Sequence, residues 1–241
     1  MTFERNPIPP AEPGATPPPA GGPTPVQIRL QILSTEHWSL LASRGLAWNE
    51  SFSRASMFLS TLSGALVALG LIGGIDGFHD AFYAFALVVL PVVLFVGVGT
   101  WFRMGATNYH DAITIAGMNR IRAAYLEIAP DLEPYFVMGV HDDSHGIGIT
   151  MAVPPGTSTF AHLIAGTPTL VMVLNGVISG GIVAILLLRF TTIDAMIALL
   201  IALAAAVLVV AGEFASAGRK IRRSQRALQP MFPTPPAGPR E

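Results

Sequence analysis

Four runs of about 20 apolar residues constrain this chain more than anything else in it: 57–75, 81–102, 167–188 and 193–212. A run of that length matches the hydrocarbon thickness of a bilayer, about 30 Å, at the 1.5 Å rise of an α-helix. In lipid every backbone N–H and C=O must be satisfied within its own segment, so each run is read as a spanning helix. The connections 76–80 and 189–192 are only a few residues long, which makes two tight hairpins. The expected fold class is therefore all-α, an integral membrane protein with four transmembrane helices and long cytosolic helical extensions. The composition agrees: 51% of 241 residues are hydrophobic and 12% charged, about half the charged share of a soluble domain.

The cationic side chains give the expected orientation. Four arginines precede the first run, three lie between the second and third, and five arginines with Lys220 follow the fourth. Arg189 stands alone on the other side. Both termini and the central region are thus expected in the cytoplasm; the excess of arginine over lysine and the abundance of Ala, Gly and Pro suggest a bacterial chain, whose spans would lie in the inner membrane. The formal net charge of -1 and the scatter of the arginines argue against a nucleic-acid partner. The absence of cysteine excludes disulfides, thiolate metal sites and cysteine nucleophiles.

The terminal segments 1–25 and 230–241 are rich in proline and poor in large apolar residues, and both are expected to be solvated, disordered tails. Between the first tail and residue 135 the chain reads as helix, membrane hairpin and helix. Ser34 or Thr35 is the expected N-cap of a helix of about 40 residues running into the first span. Trp38, Leu41, Gly45, Trp48 and Phe52 recur at alternating steps of three and four, the spacing of a coiled-coil seam. The stretch 103–135 mirrors it with Thr114, Met118, Ile121, Tyr125 and Ile128. The expected packing residues of this cytosolic stalk are Trp38, Leu41, Trp48, Phe52, Met118, Ile121 and Tyr125. Arg120 and Glu127 are read as a polar face. Residues 136–160 form a loop, 161–212 the second hairpin, and 213–229 a basic juxtamembrane helix. Its Arg219, Lys220, Arg222, Arg223 and Arg226 suit anionic lipid headgroups, at about 1 kcal/mol for each charge; docking of a cytosolic protein partner is the alternative use.

Within the spans, Ser56, Ser60 and Gly64 make a small-residue stripe that Ala68 continues, and Gly176 and Gly180 make another, with Asn175 and Ser179 beside it. Small residues four apart let helices approach closely in lipid, so these are read as packing seams or, alternatively, as pore linings. No carboxylate, His or Arg falls in mid-span by this reading, since Asp194 and Glu213 stand at helix ends, and a transporter is disfavoured. Pro91 is expected to kink the second span. The run HDDSH supplies the only metal-ligand candidates, His141, Asp143 and His145, and a loop is preferred over a metal site there. With no phosphate loop, HExxH or GxSxG motif, no enzyme and no cofactor is expected.

The segments EHWSLLASRGLAWNESFSR and AGMNRIRAAYLEIAPDLEPYF resemble those of a group of small, uncharacterised bacterial four-span membrane proteins, a likeness that implies no activity. The layout of helix, membrane hairpin and long cytosolic helix is also similar to the SLATT family of membrane effectors. That likeness implies pore formation, although the additional hairpin after residue 160 departs from the family's layout. The function expected from the residues is a non-enzymatic membrane scaffold or assembly component that forms a homo-oligomer; the alternative is an oligomeric channel or pore-forming effector, and a metal-dependent membrane enzyme ranks last.

Overall fold

Two helices of about 50 residues set the architecture: α1 (Pro25–Asp76) and α2 (Asp80–Ile128). A 3-10 turn (Pro130–Tyr135), the short α3 (Ser144–Thr150), α4 (Thr167–Phe190) and α5 (Ala195–Ala227) follow. The computed structural model describes residues 24–77, 79–152, 166–227 and 229–235, without the side chains of 76 and 221–227. No strand occurs among the described residues. Four helices are long and apolar enough to cross a membrane, and the chain is a multi-pass membrane protein.

Helix α1 begins nine residues earlier than Ser34. Thr24 and Gln27 form a reciprocal capping box, with Thr24 N–H donating to Gln27 Oε1 at 2.7 Å and Gln27 N–H to Thr24 Oγ1 at 3.3 Å. Pro25 occupies the first helical position, where its missing N–H costs nothing. The proline-rich composition of 1–25 hid this start; residues 1–23 themselves lie outside the described residues. At 1.5 Å per residue α1 is about 78 Å long, more than twice the thickness of a bilayer core. Gly77 ends it in the left-handed conformation, φ 65°, where glycine carries no Cβ penalty. Helix α2 continues unbroken through Pro91.

α1 and α2 pack along one seam. Its α1 side runs through Ser51, Ala55, Phe58, Leu62, Ala65 and Leu69, all buried. The α2 side runs through Ala86, Leu90, Val93, Gly97, Thr100, Met104, Thr107, Asp111, Thr114, Met118 and Ile121. Steps of three and four recur throughout, so a single heptad register crosses from the apolar part into the polar end. Ion pairs fasten that end at three levels: Arg29–Glu127 at 3.2 Å, Arg44–Asp111 at 2.6 Å, and Arg103–Glu50. Glu127 pairs with Arg29 of α1 on an exposed face, and Arg120 pairs with Asp142.

The expected α2 residues Met118 and Ile121 are buried and Tyr125 half-buried, but α1 is turned differently from the expected register. His37, Leu40 and Arg44 face α2: the His37 ring lies 6.5 Å from that of Tyr125, and Leu40 abuts Gly117. Trp38, Leu41 and Phe52 are exposed and Trp48 half-buried, stacked on Phe52 at 5.5 Å. The seam of α1 is polar at this end, so following apolar residues gave a register one residue out.

Helices α4 and α5 pack through glycine. A Cβ on Gly176 would stand 2.6 Å from Val210 Cγ2 and 2.9 Å from Ala206 O, and one on Gly180 2.9 Å from Ala202 O. Asp194 caps α5 by accepting from Met196 N–H at 2.9 Å, and α5 continues without a break into the basic stretch. α4 also packs against α2, where Val171, Met172 and Ile178 join the common core. At the far end Arg189 of α4 pairs with Asp80 of α2.

Candidate functional site

The densest polar arrangement lies where α2 emerges from the apolar core, and Asn119 is its centre. This fully buried side chain donates from Nδ2 to His141 O at 2.7 Å. Its Oδ1 accepts from Arg122 Nη1 at 2.7 Å and from Thr150 Oγ1 at 2.8 Å. Thr150 Oγ1 in turn accepts from Gly139 N–H at 3.1 Å. One amide thus ties the 139–150 loop to α2, making three of its four hydrogen bonds there. Gly139 and Gly146 permit the loop's close crossing, since a Cβ on either would run into the carbonyl oxygen of Gly146 or His141.

That loop presents two carboxylates to the C-terminal segment. Asp142 accepts from Arg120 Nε at 2.6 Å, Met231 N–H at 2.8 Å and Phe232 N–H at 2.8 Å. Its own N–H donates to Phe232 O at 3.2 Å, and Arg120 Nη2 donates to Gln229 O at 3.2 Å. Asp143 caps α3 through Gly146 N–H at 2.9 Å, and accepts from the Thr234 N–H and hydroxyl, both at 2.9 Å. Residues 229–235 are therefore a docked strap, which corrects the expectation of a solvated tail from 230 onward; 236–241 lie outside the described residues. Proline content misled here because the strap needs no core: Met231, Phe232 and Thr234, between the prolines, offer their N–H groups to charged acceptors.

Burial pushes the Asp142 carboxyl up, but the Met231 and Phe232 N–H groups and the Arg120 guanidinium outweigh it and hold the group below the usual aspartate range. Asp143 is likewise raised by burial and more than offset by Gly146, Thr234 and the nearby His141. Both are ionised and already supplied with donors. Close by, burial and then the Arg122 charge lower His37 below its usual range, which keeps the imidazole neutral.

The HDDSH run takes part in this arrangement as follows. Asp143 is committed to α3 and Thr234, and His145 is exposed. Among the described residues no group of three His, Asp or Glu side chains is placed to hold a metal. The arrangement can clamp a peptide backbone; its carboxylates are engaged by N–H and hydroxyl donors. Sequence reasoning missed Asn119, Arg122, Asp142 as a clamp, and the strap. The one available signal was the pair of adjacent aspartates beside glycines, which also fits an ordinary turn.

The other expected residues are placed as follows. Asn175, Gly176 and Gly180 are buried, and Ser179 donates to Asn175 O at 2.8 Å. Ser56, Ser60 and Gly64 are exposed and take no part in the α1–α2 seam. Gly64 instead lines an apolar groove of about 340 Å³ with Ala68, Val88 and Val92. Arg219 is exposed, and Lys220 Nζ lies 4.6 Å from the Phe102 ring centroid and 5.5 Å from that of Trp101. The side chains of Arg222, Arg223 and Arg226 lie outside the described ones, as does the segment 153–165. No family model, curated protein or solved structure matches the chain.

Proposed function

We propose that the chain is a non-enzymatic membrane scaffold, built of two hairpins with a cytoplasmic stalk, that self-associates through one face of α1. The observation that carries this reading is the apolar line α1 turns away from α2: Trp38 is 66% exposed, Leu46 71% and Phe52 50%. These residues stand beyond the apolar core, beside the ion pairs, where water is the alternative neighbour. Aromatic side chains gathered on such a surface mark a contact with another chain. Ser56, Ser60 and Gly64 continue the line at four-residue steps into the apolar part, where small residues favour close helix approach. A second copy of α1 suits both halves of this face. The arginine distribution supports cytoplasmic termini, with Arg219 and its basic neighbours against anionic headgroups.

A Cβ at Gly64 meets no atom of its own chain within 4 Å. Gly64→Leu is therefore expected to leave the protomer's stability within about 0.5 kcal/mol of the wild type while reducing oligomer mass in mild detergent. An unchanged mass would count against this face. The alternative reading, an oligomeric pore, draws on the exposed hydroxyls of Ser56 and Ser60 in the same line; silent bilayer recordings from an intact oligomer would dismiss it.

A further inference from the structure

A second polar contact lies far from the strap, inside the apolar part. Asn175 of α4 is fully buried and donates from Nδ2 to Glu213 Oε1 of α5 at 3.1 Å. The two remaining oxygens of this pair, Asn175 Oδ1 and Glu213 Oε2, are shielded from solvent and have no hydrogen-bond partner. Asn175 is eight residues into α4, about 12 Å from its start. Opposite it stands Gly97 of α2, six residues or about 9 Å before Arg103. A Cβ on Gly97 would run into Asn175 Oδ1 and lie 2.7 Å from Phe58 Cε2 of α1. All four spanning helices meet at this amide and carboxyl. Glu213 is thus not at the end of its helix in any functional sense: its head reaches into the joint.

Leaving two oxygens unpaired in hydrocarbon is costly, and a carboxylate with a single neutral donor costs more. One hydrogen removes both deficits. A proton on Glu213 Oε2 makes that atom a donor, and the acceptor lacking a donor in the same pair is Asn175 Oδ1. The amide and the carboxylic acid then exchange two hydrogen bonds running in opposite directions.

We propose that Asn175 and Glu213 form a proton-binding site at the joint between the α1–α2 pair and the α4–α5 pair, with the bound proton bridging Glu213 Oε2 and Asn175 Oδ1. The charged groups around it are engaged elsewhere or lie toward the helix ends. On α1, Glu50 and Arg54 pair with each other, and Glu50 also with Arg103 of α2. On α5, Arg219 and Lys220 follow Glu213 by more than a turn, with Lys220 over the Trp101 and Phe102 rings. On α4 the sole charged residue, Arg189, pairs with Asp80 at the opposite end. Losing the proton leaves a carboxylate facing Asn175 Oδ1, so the contact of α4 with α5 at this joint depends on proton occupancy. The inference stands whether or not the chain self-associates.

The test uses the full chain in lipid nanodiscs and dicyclohexylcarbodiimide, which reacts with a carboxylic acid in apolar surroundings. The acid proton passes to a carbodiimide nitrogen and the carboxyl oxygen bonds to the central carbon. Peptide mass analysis is expected to place the adduct on Glu213, with the yield falling as pH is raised from about 5 to about 9. Wild-type melting temperature is expected to fall over the same range. Glu213→Gln should abolish the adduct and melt at the wild type's low-pH temperature throughout, because the Gln amide supplies the missing donor to Asn175 Oδ1. Absence of an adduct on Glu213 at the low-pH end, or a wild-type melting temperature as flat with pH as that of E213Q, would overturn the proposal.

Discussion

Replacing Asp142 with Ala is expected to free the strap 229–235 from the rest of the protein. The substitution removes an acceptor that is fully buried and serves Arg120 and the N–H groups of Met231 and Phe232 together. Hydrogen bonds to a charged group contribute about 1.5–3 kcal/mol each, less where a freed partner regains water. Loss of about 3 kcal/mol in local stability is the expected net effect, since the strap's amides become solvated once released. Hydrogen exchange at Met231, Phe232 and Thr234 should then quicken on the order of 100-fold, with the spanning helices unchanged. Protection equal to the wild type's would show that the clamp does not hold the strap.

The pH dependence has a definite sign. Both aspartates are held below their ordinary value in the folded protein, so the unfolded or undocked form binds protons more readily. Their contribution is complete above about pH 4 and is lost as pH falls through the lowered folded values. The protection factors of the strap amides, which are exchange rates corrected for the intrinsic pH dependence, should accordingly be level through neutral pH and fall only under acid conditions.

A second large effect is expected at the α4–α5 contact. Gly176→Leu places a branched side chain where even a Cβ stands 2.9 Å from Ala206 O and 2.6 Å from Val210 Cγ2. Backbone cannot rotate aside as a side chain can, so α5 must move away. Overpacking of this kind costs about 1–3 kcal/mol and more when backbone is displaced; we expect the upper end. Gly181, five residues along the same helix, has no atom within 4 Å of its would-be Cβ, and Gly181→Leu should melt like the wild type. Equal melting temperatures in lipid for the two variants would contradict the placement of α5 against α4.

Much of the fold is legible in the residues because the bilayer simplifies the problem. A run such as 81–102 has no alternative to helix, and its length identifies it as a span. The α2 register was also readable, since Met118, Ile121 and Tyr125 are apolar and face α1. The α1 register was not, because the seam there is built from His37, Arg44 and Ser51 while Trp38 and Phe52 point outward. Apolar periodicity reports which residues avoid water, and it cannot distinguish a contact within the chain from one between chains. Glu213 was misread for a related reason. Its position follows the apolar run, but its side chain extends back to Asn175, and only the packing of α5 on α4 brings the two together. The strap escaped notice because its binding relies on backbone N–H groups, which every non-proline residue carries.

The central claim, that α1 joins one copy of the chain to another, is tested most directly by cross-linking in native membranes. The chain has no cysteine, so a single Ser60→Cys substitution on the exposed face of α1 supplies the only reactive thiol. A short bis-maleimide should then yield a covalent dimer in high proportion, whereas Leu203→Cys, exposed on α5, should yield little. Dimer yield from S60C no greater than from L203C would contradict the account.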